Sequence, residues 1–334
     1  MTILRKAARP LRGANGWMLR CGLALISAVL SHVAVAEEFP TRPITLTMIL
    51  GAGGPTDALA RAVASGMSEQ LGKPVIVENR PGASGAIASL VVARARPDGY
   101  TLLFTANAIH TVTPFVQKGT KFDPVKDFTP ITMIGRWYNV IVVNKNVPAK
   151  TFPELMQLAK SKPQGLAVAT MGMSGRMTLA QLTSATGTSL LDVPYSDGAK
   201  ATQALLSGDV DMFFDGIGLA RNRVDEGMYR AIAVLGPKRV PVLPELPTVA
   251  EFIPGFDSPL WAGIVAPAGL PTPIAEKLHK AIVATFDMPR VRAAGAALGI
   301  VEFVGNSPED FGRIIADEAR KNPELVERYK LSVE

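Results

Sequence analysis

Apolar and polar positions along the chain alternate in a way that predicts strands followed by helices. The first apolar run covers residues 44–50, and after a glycine-rich break Leu59, Val63, Met67 and Leu71 recur every fourth residue, the spacing of one helix face. Further runs predict strands at residues 75–77, 101–104, 140–143, 166–170, 190–193, 212–214 and 231–235, and helices at residues 85–95, 177–186, 199–207 and 219–226. This succession predicts an α/β fold with mostly parallel strands.

The regular pattern ends in the last third of the chain. Residues 237–273 are rich in proline and predict irregular structure, including the apolar stretch 261–267. Two or three helices are predicted after it, one beginning at Pro273 and another at Pro308 with Ser307 as its N-cap. Two similar α/β units followed by helices suggest a protein of two lobes.

The first 36 residues have the pattern of a secretory signal. They contain five basic residues and no acidic one, an apolar run from residue 21 to 35, and the small residues Ala34 and Ala36 before two glutamates. A membrane anchor is the alternative, but the run is shorter than the roughly 20 residues that span a bilayer. We therefore predict cleavage after Ala36 and a soluble periplasmic protein that is not itself embedded in the membrane.

Removal of this segment changes the charge and the chemistry that are available. The full chain has 35 basic and 29 acidic residues, and without the five basic residues of the segment its net charge falls from +6 to +1. A nucleic-acid partner, which would favour a strongly basic domain, is therefore not expected. The single cysteine, Cys21, leaves with the segment, and only His110 and His279 remain as histidines, so we predict no cofactor, no metal site and no enzyme.

The turn after the first strand, residues 51–57, is the most informative local feature. Its glycines leave backbone amides accessible at the start of a helix, a place that suits a carboxylate or a phosphate. Thr56 can cap the helix or donate to a ligand, and Asp57 can orient a polar ligand group. The sequence lacks the glycine spacing of dinucleotide sites and the Gly-Lys-Ser/Thr of a P-loop. A turn that serves only the chain geometry remains the alternative.

Two later turns repeat this arrangement. Residues 171–175 follow a predicted strand, with Thr170 and Ser174 as hydroxyl donors, and residues 194–198 precede another helix. Such turns fall at the carboxyl ends of parallel strands, where α/β proteins bind ligands. Ser84 and Ser174 lack the spacing of a hydrolase nucleophile and a credible base, so hydrolase chemistry is not expected.

A series of motifs identifies the family that the sequence resembles. They are residues 39–44 (FPTRPI), 53–57 (GGPTD), 77–83 (VENRPGA), 96–103 (RPDGYTLL), 126–131 (KDFTPI), 193–195 (VPY), 246–251 (LPTVAE) and 261–269 (WAGIVAPAG). In this order they resemble the Bug-type extracytoplasmic solute receptors of tripartite tricarboxylate transporter systems, also called the TctC family. The resemblance extends over essentially the whole chain after residue 36.

The resemblance implies a type II periplasmic-binding-protein fold with two lobes and a hinge that the chain crosses twice, near residues 134–140 and 258–264. It places residues 37–137 and 262–334 in the first lobe and residues 138–261 in the second. It also implies a monomer that captures a small carboxylate in the cleft, mainly through backbone amides and waters, and delivers it to a membrane permease. A ligand sensor for a signalling receptor and a periplasmic enzyme are the alternatives that remain.

The predicted ligand-binding residues come from these turns and from their neighbours in the expected cleft. The full set is Gly53, Gly54, Thr56, Asp57, Asn107, Thr170, Gly172, Ser174, Gly175, Thr178, Pro194, Tyr195 and Asp215. The sequence departs from the family pattern where Thr178 replaces a histidine and Ser196 replaces a lysine. Trp137 and Tyr138 are bulky residues at the expected hinge, where they could stack on an aromatic acid or pack the hinge.

Overall fold

Two separate β-sheets organise the computed structural model, which describes residues 39–116, 121–195, 197–300, 302–321, 323–328 and 331. The predicted signal segment, its cleavage site after Ala36 and Ser196 lie outside these residues. The strands are β1 (Ile44–Met48), β2 (Val75–Asn79), β3 (Thr101–Ala106), β4 (Phe128–Trp137), β5 (Asn139–Val143), β6 (Leu166–Met171), β7 (Leu190–Tyr195), β8 (Met212–Gly216), β9 (Arg230–Val234), β10 (Leu260–Pro267) and β11 (Glu302–Phe303).

Both sheets are mixed, and the prediction of mostly parallel strands was wrong. The first sheet has the order β11-β4-β10-β3-β1-β2 and the second the order β7-β6-β8-β5-β9. In the first sheet β1 is parallel to β2 and β3, whereas β10 runs antiparallel to β3 and β4. In the second, β6 is parallel to β7 and β8, whereas β5 runs antiparallel to β8 and β9. The parallel strands of each sheet carry the glycine turns at their carboxyl ends.

Strands β4 and β10 are the longest elements that the sequence pattern missed. It also missed β11 and the short helices Asn107–Thr111 and Thr113–Val116, and four helices close the chain where two or three were predicted. Pro130 lies inside β4 opposite Val265, where the register with β10 shifts, so the missing N–H of proline falls at an irregularity of the ladder. Strand β10 lies in the segment predicted to be irregular. At Gly263 of β10 a Cβ atom would lie 2.4 Å from the Phe311 ring. The packing of this ring therefore requires a glycine, which interrupts the apolar pattern of the strand.

Helices connect most of the strands. They are α1 (Pro55–Leu71), α2 (Ala86–Ala93), α3 (Asn107–Thr111), α4 (Thr113–Val116), α5 (Phe152–Ser161), α6 (Gly172–Thr186), α7 (Gly198–Ser207), α8 (Ile217–Asp225), α9 (Thr272–Val283), α10 (Pro289–Leu298), α11 (Pro308–Lys321) and α12 (Pro323–Arg328). Pro55 begins α1, and Gly72 ends it in the left-handed conformation that glycine favours. Ser307 caps α11 as predicted, because its hydroxyl accepts from the Asp310 N–H at 3.1 Å.

The second sheet is buried on both faces. Along β5, Ile141 and Val143 belong to one apolar cluster while Val140 and Val142 belong to another, and all four are fully buried. Helices therefore cover this sheet on two sides, which explains why its strands read as continuous apolar runs. In the first sheet, Trp261 of β10 is fully buried and packs edge-on against Phe311.

The chain passes between the two sheets at two neighbouring places. It leaves the first sheet at Trp137, which pairs with Leu260, and enters the second at Asn139, which pairs with Gly216. It returns after Ser258, whose N–H donates to the Leu235 carbonyl at 3.2 Å, on the way to β10. The predicted division into lobes at residues 138 and 261 remains a prediction.

His110 and His279, the two histidines after residue 36, lie within the fold. His110 is fully buried; burial lowers its pKa to about 4, although a hydrogen bond to the Pro124 carbonyl opposes that shift. His279 lies half-buried on α9. Among the described residues, no group of three or more His, Cys, Asp or Glu side chains could hold a metal ion, and no helix there is long and apolar enough to cross a membrane.

Candidate functional site

The turn between β1 and α1 is built around a buried carboxylate. Asp57 lies in the first turn of α1 and is 4 % exposed. Its oxygens accept hydrogen bonds from the Gly53 N–H at 3.0 Å, from Arg61 Nε at 2.9 Å and from Asn79 Nδ2 at 2.9 Å. Burial by itself would raise the pKa of Asp57, but these bonds outweigh it and lower the pKa to about 2. The carboxylate is therefore ionised and holds the turn in shape.

Asn79 joins this carboxylate to the end of β1. Its amide donates to the Leu50 carbonyl at 3.0 Å as well as to Asp57, while its oxygen accepts from Arg61 at 2.7 Å. Gly53 adopts φ +93°, which strains any other residue. The shape of the turn is thus determined by side chains from β2 and α1.

The start of α1 presents amides that the helix itself leaves without partners. Gly54 is the N-cap residue, with φ −82° and ψ 166°, and no side chain caps the helix. Thr56 follows Pro55 in the first turn, so its N–H has no intrahelical acceptor. A Cβ atom at Gly54 would meet nothing within 4 Å. This end of α1 is therefore accessible and carries the positive end of the helix dipole.

The turn between β6 and α6 is held from the neighbouring strand instead. Thr170, fully buried at the end of β6, donates its hydroxyl to Asp192 Oδ1 at 2.5 Å, and Arg176 Nε donates to Asp192 Oδ2 at 2.7 Å. Gly172 begins α6 at φ +53°, and at Gly175 a Cβ atom would make ordinary contacts of 3.4 Å or more with Thr170. Thr170, predicted as a donor to ligand, uses its proton for Asp192.

Thr178 and Asn107 converge on one dipeptide near the second crossing. Thr178 Oγ1 lies 3.0 Å from Ser258 Oγ, and the two residues are 3 % and 5 % exposed. Asn107, at the start of α3, donates its amide to the Pro259 carbonyl at 3.1 Å. These two predicted residues lie on helices that follow strands of different sheets, and both contact Ser258–Pro259. Ser258 begins the second predicted crossing, but it was not among the predicted ligand-binding residues.

The third predicted turn is organised as a helix cap. Asp197 accepts from the Lys200 N–H at 2.9 Å and so begins α7. Pro194 is exposed at the end of β7, and Tyr195 is half-buried against the second core cluster of the second sheet. Met171 lies over Gly198, with its sulfur 3.4 Å from the position a Cβ atom would take there. Strands β6 and β7 thus end side by side, which places the second and third turns together.

Asp215, also predicted to bind ligand, lies in a closed cluster. It is 3 % exposed, and its oxygens accept from the Gly216 N–H at 2.9 Å, from Arg223 at 2.6 Å and from the Tyr229 hydroxyl. Burial raises the pKa of Tyr229, and the neighbouring Asp215 raises it further. Asp57 and Asp215 thus both have protein partners on their oxygens, so each positions a helix start.

The bulky hinge residues have internal contacts as well. Trp137 is 9 % exposed. The pKa of Tyr138 is raised to about 12 by burial and by its hydrogen bond with Asp257. The Tyr138 ring lies against Gly236, where a Cβ atom would come within 2.7 Å of it. Tyr138 and Asp257 therefore link the two places where the chain passes between the sheets.

Two further contacts join helices that follow strands of different sheets. In the first, Val112, Met173, Met177 and Val326 form a buried apolar cluster that joins α6 to α12 and the end of α3. In the second, α8 lies so close to α10 that a Cβ atom at Gly218 would lie 2.5 Å from the Ala297 carbonyl oxygen. The turn after β1 belongs to the first sheet and the turn after β6 to the second, and these contacts connect the helices of the two sheets.

A surface cavity of about 360 Å³ lies elsewhere. It is lined by Val283, Phe286, Asp287, Arg292, Glu302, Phe303, Val304 and Gly305. These residues belong to α9, α10, β11 and their connections, and none is a predicted ligand-binding residue.

Comparison with known proteins agrees with the resemblance read from the motifs. The family model described as the tripartite tricarboxylate transporter family receptor (TctC) matches residues 59–331. A curated relative from Pseudomonas sp. (strain P51), the UPF0065 protein in the tcbD-tcbE intergenic region, is 33 % identical over 300 residues, covering 89 % of each chain.

Solved structures of similar sequence share the fold. The periplasmic binding protein BugD is 32 % identical with a TM-score of 0.75, covering 89 % of this chain and 100 % of that one. Rpa4515 of R. palustris, solved with adipate, is 31 % identical with a TM-score of 0.76, covering 87 % and 98 %. MatC from Rhodopseudomonas palustris, solved with bound malate, is 31 % identical with a TM-score of 0.74, covering 86 % and 100 %. The predicted periplasmic-binding-protein fold is confirmed, and these relatives are solute-binding proteins rather than enzymes.

Proposed function

Because the chain belongs to the receptor family of tripartite tricarboxylate transporters, we propose that it is exported to the periplasm and captures a small carboxylate between its two sheets. The observation that carries this proposal is the pair of glycine turns at the carboxyl ends of β1 and β6, each opening directly into a helix N-terminus. The adipate and malate of two solved relatives are both carboxylates, which supports the ligand class.

The anion is held mainly by backbone groups. The amides at the start of α1 and α6 point along their helix axes and carry the positive ends of two helix dipoles. Each charge-assisted hydrogen bond contributes about 1.5–3 kcal/mol, and a micromolar dissociation constant requires about −8 kcal/mol. Three or four such bonds therefore suffice, and they leave binding weak enough for release.

Capture is followed by closure and delivery. The two crossings at Tyr138 and at Ser258–Pro259 form the hinge, and movement about them closes the cleft over the ligand. The closed form, a monomer, then docks on membrane permease subunits, which take up the carboxylate. Asp57, Asp192 and Asp215 contribute by holding the helix starts in place, and the Gly53, Gly54, Thr56, Gly172, Ser174 and Gly175 region contacts the anion.

The experiment begins with the full sequence expressed in a bacterium and the protein purified from its periplasm. Thermal shift and isothermal titration calorimetry against mono-, di- and tricarboxylates, acidic amino acids and aromatic acids then identify the ligand. A ligand at 100 times its dissociation constant stabilises the native state by about 2.7 kcal/mol, a shift that is easily measured. The absence of a response across the whole panel would contradict the carboxylate class, and amino-terminal sequencing tests cleavage after Ala36.

Gly54→Val tests the site itself. The backbone at Gly54 is extended and a Cβ atom there meets no protein atom within 4 Å, so the variant should fold with an unchanged melting temperature. Its side chain covers the start of α1, and we expect binding to weaken at least ~100-fold because about two charge-assisted bonds are lost.

Gly72→Ala at the other end of α1 is the matched control. Gly72 has φ +68°, so the alanine costs about 1 kcal/mol of stability and should leave the dissociation constant unchanged. Wild-type affinity in folded Gly54→Val would refute the placement of the anion at this turn.

A further inference from the structure

One buried hydroxyl pair in the second half of the molecule has an unused hydrogen-bond donor. Thr178 and Ser258 are both more than nine-tenths buried, and their hydroxyl oxygens lie 3.0 Å apart. Each hydroxyl has one proton, and only one of the two protons can lie between the oxygens. Within the described part of the chain, neither hydroxyl has another hydrogen-bond acceptor, so the pair always has one proton to donate elsewhere.

A second hydroxyl pair at the other end of the same helix shows that this is unusual. Thr186 and Thr188 have their oxygens 2.6 Å apart, and Thr188 is buried to the same extent as Thr178. There, the Leu182 carbonyl accepts from Thr186 at 2.7 Å, and the Met156 sulfur accepts from Thr188 at 3.9 Å. Both protons of that pair therefore have protein acceptors. A buried donor without an acceptor costs about 1–3 kcal/mol, which calls for a function.

Asn107 supplies an unused acceptor at the same place. Its side chain faces the Pro259 carbonyl, which can only accept, so the amide nitrogen lies on that side and donates at 3.1 Å. The amide oxygen accepts no hydrogen bond from the described residues. Ser258 and Pro259 are consecutive, and Ala108, next to Asn107, packs in the cluster that contains Met177, next to Thr178. One donor and one acceptor thus flank the dipeptide Ser258–Pro259.

We infer that Asn107, Thr178 and Ser258 form an uncharged subsite that recognises a hydroxyl group on the carboxylate ligand. A hydroxyl donates one hydrogen bond and accepts another, which matches Asn107 Oδ1 and the spare proton of the pair. None of the three residues carries a charge, so a second carboxylate there would lack a cation, and an ammonium group would bring three donors to one amide oxygen. The inference rests on the proposed function and narrows its ligand to hydroxycarboxylates.

The test compares carboxylates that differ by a single hydroxyl. Protein expressed from the full sequence is titrated calorimetrically with malate and succinate, with 3-hydroxybutyrate and butyrate, and with 4-hydroxybenzoate and benzoate; aspartate reports on the ammonium group. We expect the hydroxylated member of at least one pair to bind ten-fold or more tightly than its partner, and more tightly than any amino analogue.

The double variant Thr178→Val/Ser258→Ala removes both hydroxyls, because either one alone would still have a proton to donate. Asn107→Ala removes the acceptor instead, and each of these two variants should reduce that preference to within about two-fold. Thr188→Val, equally buried and in the other hydroxyl pair, is the control and should leave the preference unchanged. Two variants report on the same ratio, so misfolding of one leaves the test intact. A rise in the melting temperature on addition of malate or succinate shows that each variant is folded.

The outcomes separate the two proposals. Binding of carboxylates with no hydroxyl preference, or a preference that survives in both variants, overturns the hydroxyl subsite and leaves the anion site standing. A preference for aspartate over malate overturns it as well, in favour of an ammonium group. Failure of every carboxylate to bind refutes the proposed function itself.

Discussion

The turns after β1 and β6 have equivalent places in the two sheets but are stabilised in different ways. The first contains its own carboxylate, Asp57, which accepts a hydrogen bond from the Gly53 N–H and forms an ion pair with Arg61. The second has no acidic residue in the first turn of its helix, and Asp192 from the neighbouring strand holds it through Thr170 and Arg176. We therefore expect the first turn to be the more rigid of the two and the second to leave more of its helix dipole to a ligand.

The largest effect should follow from loss of the internal carboxylate. Asp57→Ala leaves the Gly53 amide, Arg61 and Asn79 without their shared acceptor, and we expect a loss of about 3 kcal/mol in the free energy of unfolding. Carboxylate binding should weaken more than ten-fold, because Gly53 then no longer holds its conformation. Denaturant titration and calorimetry measure the two quantities.

Asp98→Ala provides the comparison for this variant. Asp98 pairs with Arg42 and accepts from the Tyr100 N–H at 3.1 Å, but both side chains of the pair are well exposed, at 38 % and 60 %, so the change should cost about 1 kcal/mol and leave binding intact. Equal losses in the two variants would show that Asp57 is an ordinary surface acid.

A somewhat smaller effect is expected from acid. The pKa of Asp57 in the folded protein, about 2, lies below its ordinary value of 3.8. A lowered pKa gives stability that is fully present above the unfolded value, near pH 4, and that is lost as the pH falls through 4 towards 2. The shift of somewhat less than two units corresponds to about 2 kcal/mol.

The measurement is the difference in free energy of unfolding between the wild type and Asp57→Asn, followed from pH 6 to pH 2. The difference should stay constant down to about pH 4.5 and then shrink. A constant difference over the whole range would contradict the assignment of a low pKa to this carboxylate.

The smallest effect should come from the second turn. Asp192 is about one-quarter exposed, so solvent screens its pair with Arg176, and Asp192→Asn should cost about 1 kcal/mol of stability. We expect a three- to five-fold loss of carboxylate affinity, because Thr170 and Arg176 then lose the anchor they share. An affinity loss equal to that of Asp57→Ala would mean that the two turns are equally dependent on their carboxylates.

Local sequence patterns predicted most helices, the strands that carry the turns, and the turns themselves. Strands β4 and β10 were not predicted, because contacts with distant residues interrupt their apolar patterns. Pro130 of β4 pairs with an irregular stretch of β10, and Gly263 of β10 leaves space for the Phe311 ring. Periodicity reports which face of an element is buried, and it carries no information about a distant ring that needs space.

The site was predicted less completely than the fold. The glycines of the site were predicted because tight turns require them. Arg61 could have been predicted as the partner of Asp57, because it lies four residues later on the same helix face. Asp57 and Asp215 were predicted as ligand contacts; both are buried and have protein partners on their oxygens, and their contact with a ligand stays a prediction. The second crossing was predicted to begin at Ser258, but the meeting of Ser258 with Thr178 could not be anticipated, since it depends on how the returning chain packs against α6.

The methionines between α6 and α12 have a consequence for observing this molecule at work. Met173 and Met177 lie one helical turn apart and share a buried cluster with Val112 and Val326. An unbranched thioether repacks readily when the surfaces around it slide, whereas a branched side chain would favour one arrangement. Their methyl groups are therefore intrinsic spectroscopic probes at a boundary that the proposed closure would move, and isotopic labelling would report that closure without an added reporter group.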